Sequence, residues 1–398
     1  MFFLICFWTL VSFCTASFQI DLSKDFALEA ELPQIDSTCV VHAVTGFVDE
    51  NDLLDAIVFY ATDVDQSRSR SFRQTNYQHS VTYHHRVIYD IRSGPRIWQG
   101  PDGFFPVKST GYSEPQPSLT IERSVNTRSC YDSSINNRYY RDWPEAQTFV
   151  AADLNDNGQL DVVVVSATGY CHRDYCHPPP RDLGWTRRTY CSDARRTPHI
   201  NVKTWLLMDI KPDGNFDKVV EGGTFVANTT AIGAESLRVG VTASVEQDSA
   251  CDNSHLLTVI HGETRALLCL DLEGNLSPTT YLPLLESVDM HSGGDYSSGT
   301  VFKINGEWWH MLINRGGEWM IWVDWNKWYK GKFQFVDDQH DASIAVTAVD
   351  FDGDGIDDMI LIDCSNIGDR CRFWHGKIYS SEFVDYDLRN DDFINEFL

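Results

Sequence analysis

Apolar residues in this chain come in short runs of strand length, punctuated by Asp, Asn and Gly, with no long stretch holding a 3.6-residue rhythm. Two runs, Val162 to Val165 and Met359 to Ile362, are continuous rather than alternating. That pattern predicts strands buried on both faces. Elsewhere the pattern reads strand–turn–strand. Val202 to Val220 turns at Pro212-Asp213-Gly214, Arg265 to Leu276 at Glu273-Gly274-Asn275, and Val301 to Asn314 at Asn305-Gly306, the strongest short hairpin signal. Inner apolar strands are expected to start near residues 55, 161, 238, 308 and 357.

The most informative feature is internal repetition. Phe149 to Val165 and Val346 to Ile362 share one plan: an apolar run, an acidic loop, then a second apolar run. A weaker copy spans Val44 to Tyr60. A unit of roughly 50 residues with about four short strands matches a propeller blade. The expected fold is therefore all-β, a β-propeller of about five to seven four-stranded blades, with a pair of two-sheet sandwiches as the competing architecture. One domain would cover residues 17–398, with polar insertions near 63–85 and 168–200. Ser17 to Pro33 would supply a closing strand to the last blade, removing an open seam.

The acidic loops carry the first chemistry. Asp350, Asp352, Asp354 and Asp358 occupy positions 1, 3, 5 and 9 of one loop, with Gly355 at position 6. Asp153, Asn155, Asn157 and Asp161 occupy the same positions of another, with Gly158 at 6. Alternating side chains on a tight loop converge their oxygens, and hard oxygen donors at this density suit Ca²⁺. The backbone carbonyls of Gln159 and Ile356, at position 7, would add to each shell. An EF-hand needs a bidentate Glu at position 12. Val164 and Leu361 stand there, so that reading fails. The loop around Asp49, Asn51 and Asp55 departs further, with Phe47 at position 1 and Asp52 in place of Gly. Asp209, Asp213, Gly214 and Asp217 keep the spacing, but Lys211 at position 3 would repel a cation and favours an ordinary hairpin.

The D-x-D-x-D-G-x-x-D loop between two apolar strands resembles the FG-GAP or VCBS repeats of integrin-α-like propellers. The resemblance is close at Asp350–Asp358 and good at Asp153–Asp161; elsewhere only the rhythm carries it. It implies that Ca²⁺ in these loops braces the blades.

Composition then narrows the function. With 57 Asp and Glu against 32 Lys and Arg, the formal charge is −25, which excludes a general nucleic-acid binder. Residues 1–16, MFFLICFWTLVSFCTA, form an apolar stretch too short to span a bilayer and end in small residues. They read as a signal peptide cut before Ser17. No later segment has the length of apolar sequence a membrane helix needs. Of 11 Cys, nine follow the signal peptide, and an oxidising compartment favours disulfides. Cys251 and Cys269 flank a strand pair; Cys364 and Cys371 can close locally. An odd count leaves one thiol free or paired with another chain. Asn228-Thr229-Thr230 is an N-glycosylation sequon.

Two surfaces are candidates for recognition. Six Trp fall between residues 308 and 328. Trp308 and Trp309, adjacent on a strand, point to opposite faces. Trp325 and Trp328 sit in a turn-like segment where flat rings beside Asp and Asn suit sugars, the alternative being Trp packed between blades. Residues 171–196 form an arginine-rich insertion containing Arg187 and Arg188, suited to an anionic glycan, an acidic protein or the chain's own carboxylates. No G-x-S-x-G elbow, Walker loop or H-E-x-x-H helix occurs. The leading expectation is a secreted, calcium-stabilised binding module for carbohydrate or protein at a cell surface or matrix. The alternative is a Ca²⁺-dependent polysaccharide lyase on the same scaffold, whose base would come from Tyr83, His84, His85 or the arginines near 187.

Overall fold

The computed structural model describes residues 30–31, 40–49, 51–71, 74–93, 104–128, 146–173, 196–228, 241–251, 254–261, 264–279, 285–287, 296–304, 307–314, 318–323, 327–332, 343–351, 353, 355–365 and 370–377. The fold is all-β in a β-propeller arrangement, with no helix among the described residues. Among the described residues no helix is long and apolar enough to cross a membrane.

Among the described residues five antiparallel sheets follow one another along the chain. Sheet I holds β2 (Val40–Gly46), β3 (Asp55–Ser71) and β4 (Gln74–Tyr89), with β7 (Gly111–Tyr112) and β8 (Gln116–Arg128) both paired to β4. Sheet II runs β9 (Ala146–Ala152), β10 (Asp161–Arg173), β11 (Arg196–Ile210) and β12 (Phe216–Asn228). Sheet III runs β13 (Val241–Gln247), β14 (His255–His261) and β15 (Thr264–Leu270), with β16 (Leu276–Pro278) and β17 (Leu285–Ser287) on β15. Sheet IV runs β18 (Tyr296–Ile304), β19 (Glu307–Asn314), β20 (Glu318–Val323) and β21 (Lys327–Lys332). Sheet V begins with β22 (Ser343–Val349), β23 (Asp358–Ser365) and β24 (Arg370–Lys377).

The first strand of each sheet faces the centre. These strands pack in a closed ring, β2 on β9, β9 on β13, β13 on β18, β18 on β22 and β22 on β2. The ring is narrow enough for Thr148 Oγ1 on β9 to donate across it to Gly299 O on β18, 3.3 Å away.

The continuous apolar runs find their reason here. Val163 and Val165 pack toward sheet III, while Val162 and Val164 pack toward sheet I. All four are 0% exposed. Met359 and Leu361 likewise face sheet IV, and Ile360 and Ile362 face sheet I. Each second strand is thus a slab between two neighbours, and each such side chain contributes about 1.5–3 kcal/mol. The apolar run expected near 238 is divided differently. Val241 opens an innermost strand, and the second strand of that sheet starts at His255.

Segments from the start of the chain complete sheet V. Ala30–Glu31 (β1) pairs with Cys371 and Arg370 of β24, inside the stretch expected to close the last blade. A second contribution had no signal in the sequence: β6 (Phe104–Lys108) lies beside β24, with Phe105 opposite His375, and β5 (Arg92–Ser93) lies beyond it. Residues 63–71 and 74–85, read as a polar insertion, belong to the long hairpin of β3 and β4. Cys251 and Cys269 form a disulfide, with Cα atoms 5.4 Å apart.

Candidate functional site: the acidic loops at one end of the ring

The three acidic loops each join the first strand of a sheet to the second, so all lie at the same end of the ring. Their position-nine carboxylates, Asp55, Asp161 and Asp358, open β3, β10 and β23 and are at most 2% exposed. Each one ties its own loop down. Asp55 Oδ2 accepts the N–H of Val48, Asp161 Oδ2 that of Leu154, both at 2.8 Å, and Asp358 Oδ2 that of Phe351 at 3.3 Å. The second oxygen of Asp55 accepts Asp90 N–H at 2.8 Å, and that of Asp161 accepts Asp209 N–H at 2.7 Å. Asp90 and Asp209 both have φ of 52°, a left-handed conformation that Asp tolerates. In sheet V the side chain of His375 lies instead beside the oxygen that accepts Phe351 N–H, with Nε2 3.1 Å from Asp358 Oδ2. Phe351 stacks on the same imidazole, ring centres 4.2 Å apart.

Burial pushes the carboxyls of Asp55 and Asp161 above the usual range, against the pull of their backbone N–H donors. Charges on Asp209 and Asp153 push Asp161 further up. Asp357 is raised by burial first and by Asp350 and Asp358 as well. Its carboxylate accepts Lys303 N–H at 2.6 Å, tying this loop to sheet IV.

The position-one side chains curl the loops. Asp153 accepts the N–H groups of Asn157 (3.1 Å) and Gly158 (2.9 Å), and Asp350 those of Gly353 and Gly355, both at 2.8 Å. Gly158, Gly353 and Gly355 have φ of 81°, 76° and 84°, which Cβ-bearing residues rarely adopt. Asn155 and Asn157 both donate from Nδ2 to Asp209 Oδ1, at 3.1 and 2.7 Å. Asp209 is the residue sequence reasoning missed. Grouped by spacing with Lys211 and Asp213, it serves instead the loop of the preceding hairpin, more than 50 residues upstream. The rest of that group is the ordinary turn expected, with Lys211 paired to Asp217 and Gly214 N–H bonded to Lys211 O at 2.8 Å.

The donor set of these loops fits a hard cation. Each oxygen of Asp153, Asp161 and Asp350 that accepts one N–H keeps a second lone pair, and Ca²⁺ collects six to eight oxygens. Asp153, Asn155, Asn157, Asp161 and the carbonyl of Gln159 would serve in the first loop. Asp350, Asp358 and the carbonyl of Ile356 would serve in the second, whose Asp352 and Asp354 lie outside the described residues. Among the described residues no three His, Cys, Asp or Glu side chains are already gathered as a metal cage. The loop at 47–55 satisfies itself differently: Asn51 Nδ2 donates to Asp49 (2.9 Å) and to Asp90 (2.7 Å), and the hydroxyl of Thr110 donates to Asp90.

The expected recognition residues divide. Trp309 is 4% exposed, and its strand neighbour Trp308 is half-buried on the other face, donating from Nε1 to Glu246 at 2.8 Å. Trp328 lies on β21 opposite Trp322, and Asn228 ends β12; these are placed by backbone alone. Trp325, Arg187, Arg188 and residues 1–16 lie outside the described residues. Two residues expected as bases for lyase chemistry are buried and hydrogen-bonded. Tyr83 donates to Gln147 Oε1 at 2.7 Å. His85 is held between Ser118 Oγ (2.7 Å) and Gly214 O (2.6 Å), and burial pushes its pKa down to about 4.

No family model matches this chain, and no curated protein does. Among solved structures the chain is similar to the crystal structure of a triple arginine-to-alanine mutant of AofleA from Arthrobotrys oligospora. That match has 10% identity and a TM-score of 0.25, over 81% of this chain and 90% of that one.

Proposed function

We propose that this chain is a secreted, calcium-stabilised binding module, a five-bladed propeller of FG-GAP/VCBS type that recognises carbohydrate or a protein partner at a cell surface or matrix. The observation that carries the reading is the common build of three loops at one end of the ring. Each is anchored by a buried position-nine Asp, and two present hard oxygen donors around a left-handed glycine. Asp153, Asn155, Asn157, Gln159 and Asp161 would hold one Ca²⁺, and Asp350, Asp352, Asp354, Ile356 and Asp358 the other. The ion's contribution is structural: it neutralises carboxylates that otherwise repel one another.

Calorimetric titration should reveal about two Ca²⁺ sites, and Asp153→Ala and Asp350→Ala should each abolish one. Calcium at a hundred times Kd should stabilise the fold by about 2.7 kcal/mol per site. No binding heat together with an unchanged melting temperature would remove the calcium assignment. Secretion is tested by N-terminal sequencing of the exported protein, expected to start at Ser17. Ligand class is tested on a glycan array alongside a pull-down from extracellular matrix. Empty results from both would end the binding reading. The lyase reading is less favoured because Tyr83 and His85 are buried and hydrogen-bonded; release of ultraviolet-absorbing unsaturated uronides would support it.

A further inference from the structure

The seam between sheets III and IV opens toward the end of the ring that carries the acidic loops. On β13, Val241 and Ala243 pack toward sheet II, so Thr242, Ser244 and Glu246 face sheet IV. On β18 and β19, Phe302, Trp309 and Met311 pack toward sheet V, so Lys303, Trp308 and His310 face sheet III. Two bonds cross between these rows: Thr242 Oγ1 with His310 Nδ1 at 3.0 Å, and Trp308 Nε1 donating to Glu246 Oε2 at 2.8 Å. Deep in the seam the two sheets touch. A Cβ on Gly299 would lie 2.7 Å from Thr242 Cγ2 and 2.8 Å from Val241 O. Toward the acidic-loop end they part, where Val301, Glu246 and Trp308 are partly exposed and Lys303 is exposed.

The mouth of this cleft is uncovered on one side. β18 ends at Ile304 and β19 begins at Glu307, so only residues 305 and 306 join them, against the longer acidic loops of sheets I, II and V. Its rims are held from outside. Gln247, next to Glu246, donates from Nε2 to Asp156 Oδ1 at 2.8 Å. Asp357 accepts the N–H of Lys303 at 2.6 Å and donates its own N–H to Lys303 O at 3.3 Å. The Cys251–Cys269 disulfide holds Ala250 and Cys251 in a buried cluster with Leu256 and Leu267. Leu267 and Cys269 alternate with Ala266 and Leu268, which pack toward sheet II, so this cluster stands on the same side of sheet III as Glu246.

The lining offers groups that the chain leaves unused. Ser244, between Thr242 and Glu246 on β13, is 1% exposed, and its Oγ has no hydrogen-bond partner. Buried hydroxyls are ordinarily paired, so this one calls for an atom the chain does not supply. It lies about 7 Å along the strand from Glu246. Nearer the mouth, Glu246 Oε1 and Lys303 Nζ make no hydrogen bond or ion pair among the described residues. The Lys303 ammonium rests over the Trp308 ring, 5.2 Å from its centre.

We propose that the cleft between sheets III and IV binds a neutral sugar ring, stacked on Trp308 with its hydroxyls shared among Glu246, Lys303 and Ser244; this rests on the carbohydrate reading above and narrows it. A pyranose offers C–H groups to the indole face and hydroxyls that both donate and accept. Lys303, with its long stem exposed, gives up its place over the ring and donates to the ligand instead. Carboxylates crowd the rim at Glu246, Asp156, Asp248 and Asp357, so a uronate or sulfated sugar is repelled.

Galactose, mannose, glucose and N-acetylglucosamine, with glucuronate as the charged comparison, are titrated into the full chain at fixed calcium and followed by saturation-transfer NMR. At least one neutral sugar should bind, and glucuronate should bind more weakly. Trp308→Ala should weaken the best neutral sugar by about 10-fold or more. Ser244→Ala should weaken it by about 2- to 10-fold while leaving the melting temperature of the free protein no lower, because an unpaired buried hydroxyl is removed. A residue that only packs would show the opposite split, with lower stability and unchanged affinity. If Trp308→Ala does not fold, Ser244→Ala still decides. A sugar bound equally well by both variants overturns the cleft and leaves the carbohydrate reading standing. No neutral sugar bound by the unaltered chain overturns both, and glucuronate bound as tightly as the best neutral sugar overturns the ligand class.

Discussion

Replacing Gly222 by Ala should weaken the junction of sheets II and III more than its size suggests. Gly222 and Gly223 oppose Thr204 at a bulge where the β11–β12 register shifts. A Cβ on Gly222 would lie 2.3 Å from Gly274 O and 2.6 Å from Thr204 Oγ1. Backbone does not swing aside as a side-chain tip does, so the 271–275 turn must retreat by most of an ångström. That carbonyl accepts both Thr204 Oγ1 (2.8 Å) and Gly223 N–H (3.0 Å). Each lost bond costs about 1 kcal/mol, and the Thr204 hydroxyl, 0% exposed, is left stranded at about 1–3 kcal/mol. Overpacking adds strain of similar size, and the stiffer unfolded chain returns under about 1 kcal/mol. The expected net loss is about 3–5 kcal/mol, read from the first transition in urea by tryptophan fluorescence. Gly223→Ala is the control: its nearest neighbour would be 3.5 Å away, an ordinary contact, so little should change. If Gly222→Ala unfolds alongside Gly223→Ala, the close approach is not what holds this junction.

Further outcomes follow from the buried brace and the covalent link. Asp161→Asn should cost about 2–4 kcal/mol, because the amide can face only one of the two N–H donors with its oxygen; denaturant titration at pH 7 reads it. Removing the Cys251–Cys269 disulfide, which spans 18 residues, should cost about 3 kcal/mol, seen as a lower melting temperature with reductant or in a Cys251→Ala, Cys269→Ala variant. Phe149→Ala should cost about 3–5 kcal/mol, since this ring touches His42, Phe59 and Tyr83 together; a loss below about 1 kcal/mol would mean the seam repacks freely.

The sequence by itself determined whatever depends on neighbouring residues. Continuous apolar runs and strand–turn–strand patterning pointed to an all-β chain, and Val162–Val165 already showed that its second strands are covered on both sides. Turn chemistry placed the hairpins at Gly214 and Gly274, whose positive φ of 86° and 77° demand glycine. The acidic loops were visible because nine consecutive residues contain them. The tertiary structure decided what depends on residues brought from afar. Nothing near Phe104 says that it will extend β24, some 270 residues later. Spacing assigned Asp209 to its own hairpin, while the ring assigned it to Asn155 and Asn157. Nothing near His85 says that its ring will meet Gly214 O, 129 residues later. The division has a physical cause. Periodicity and turn preference are set by local sterics and solvation, whereas seam partners are fixed only when five sheets close a ring and each buried polar atom must find a partner.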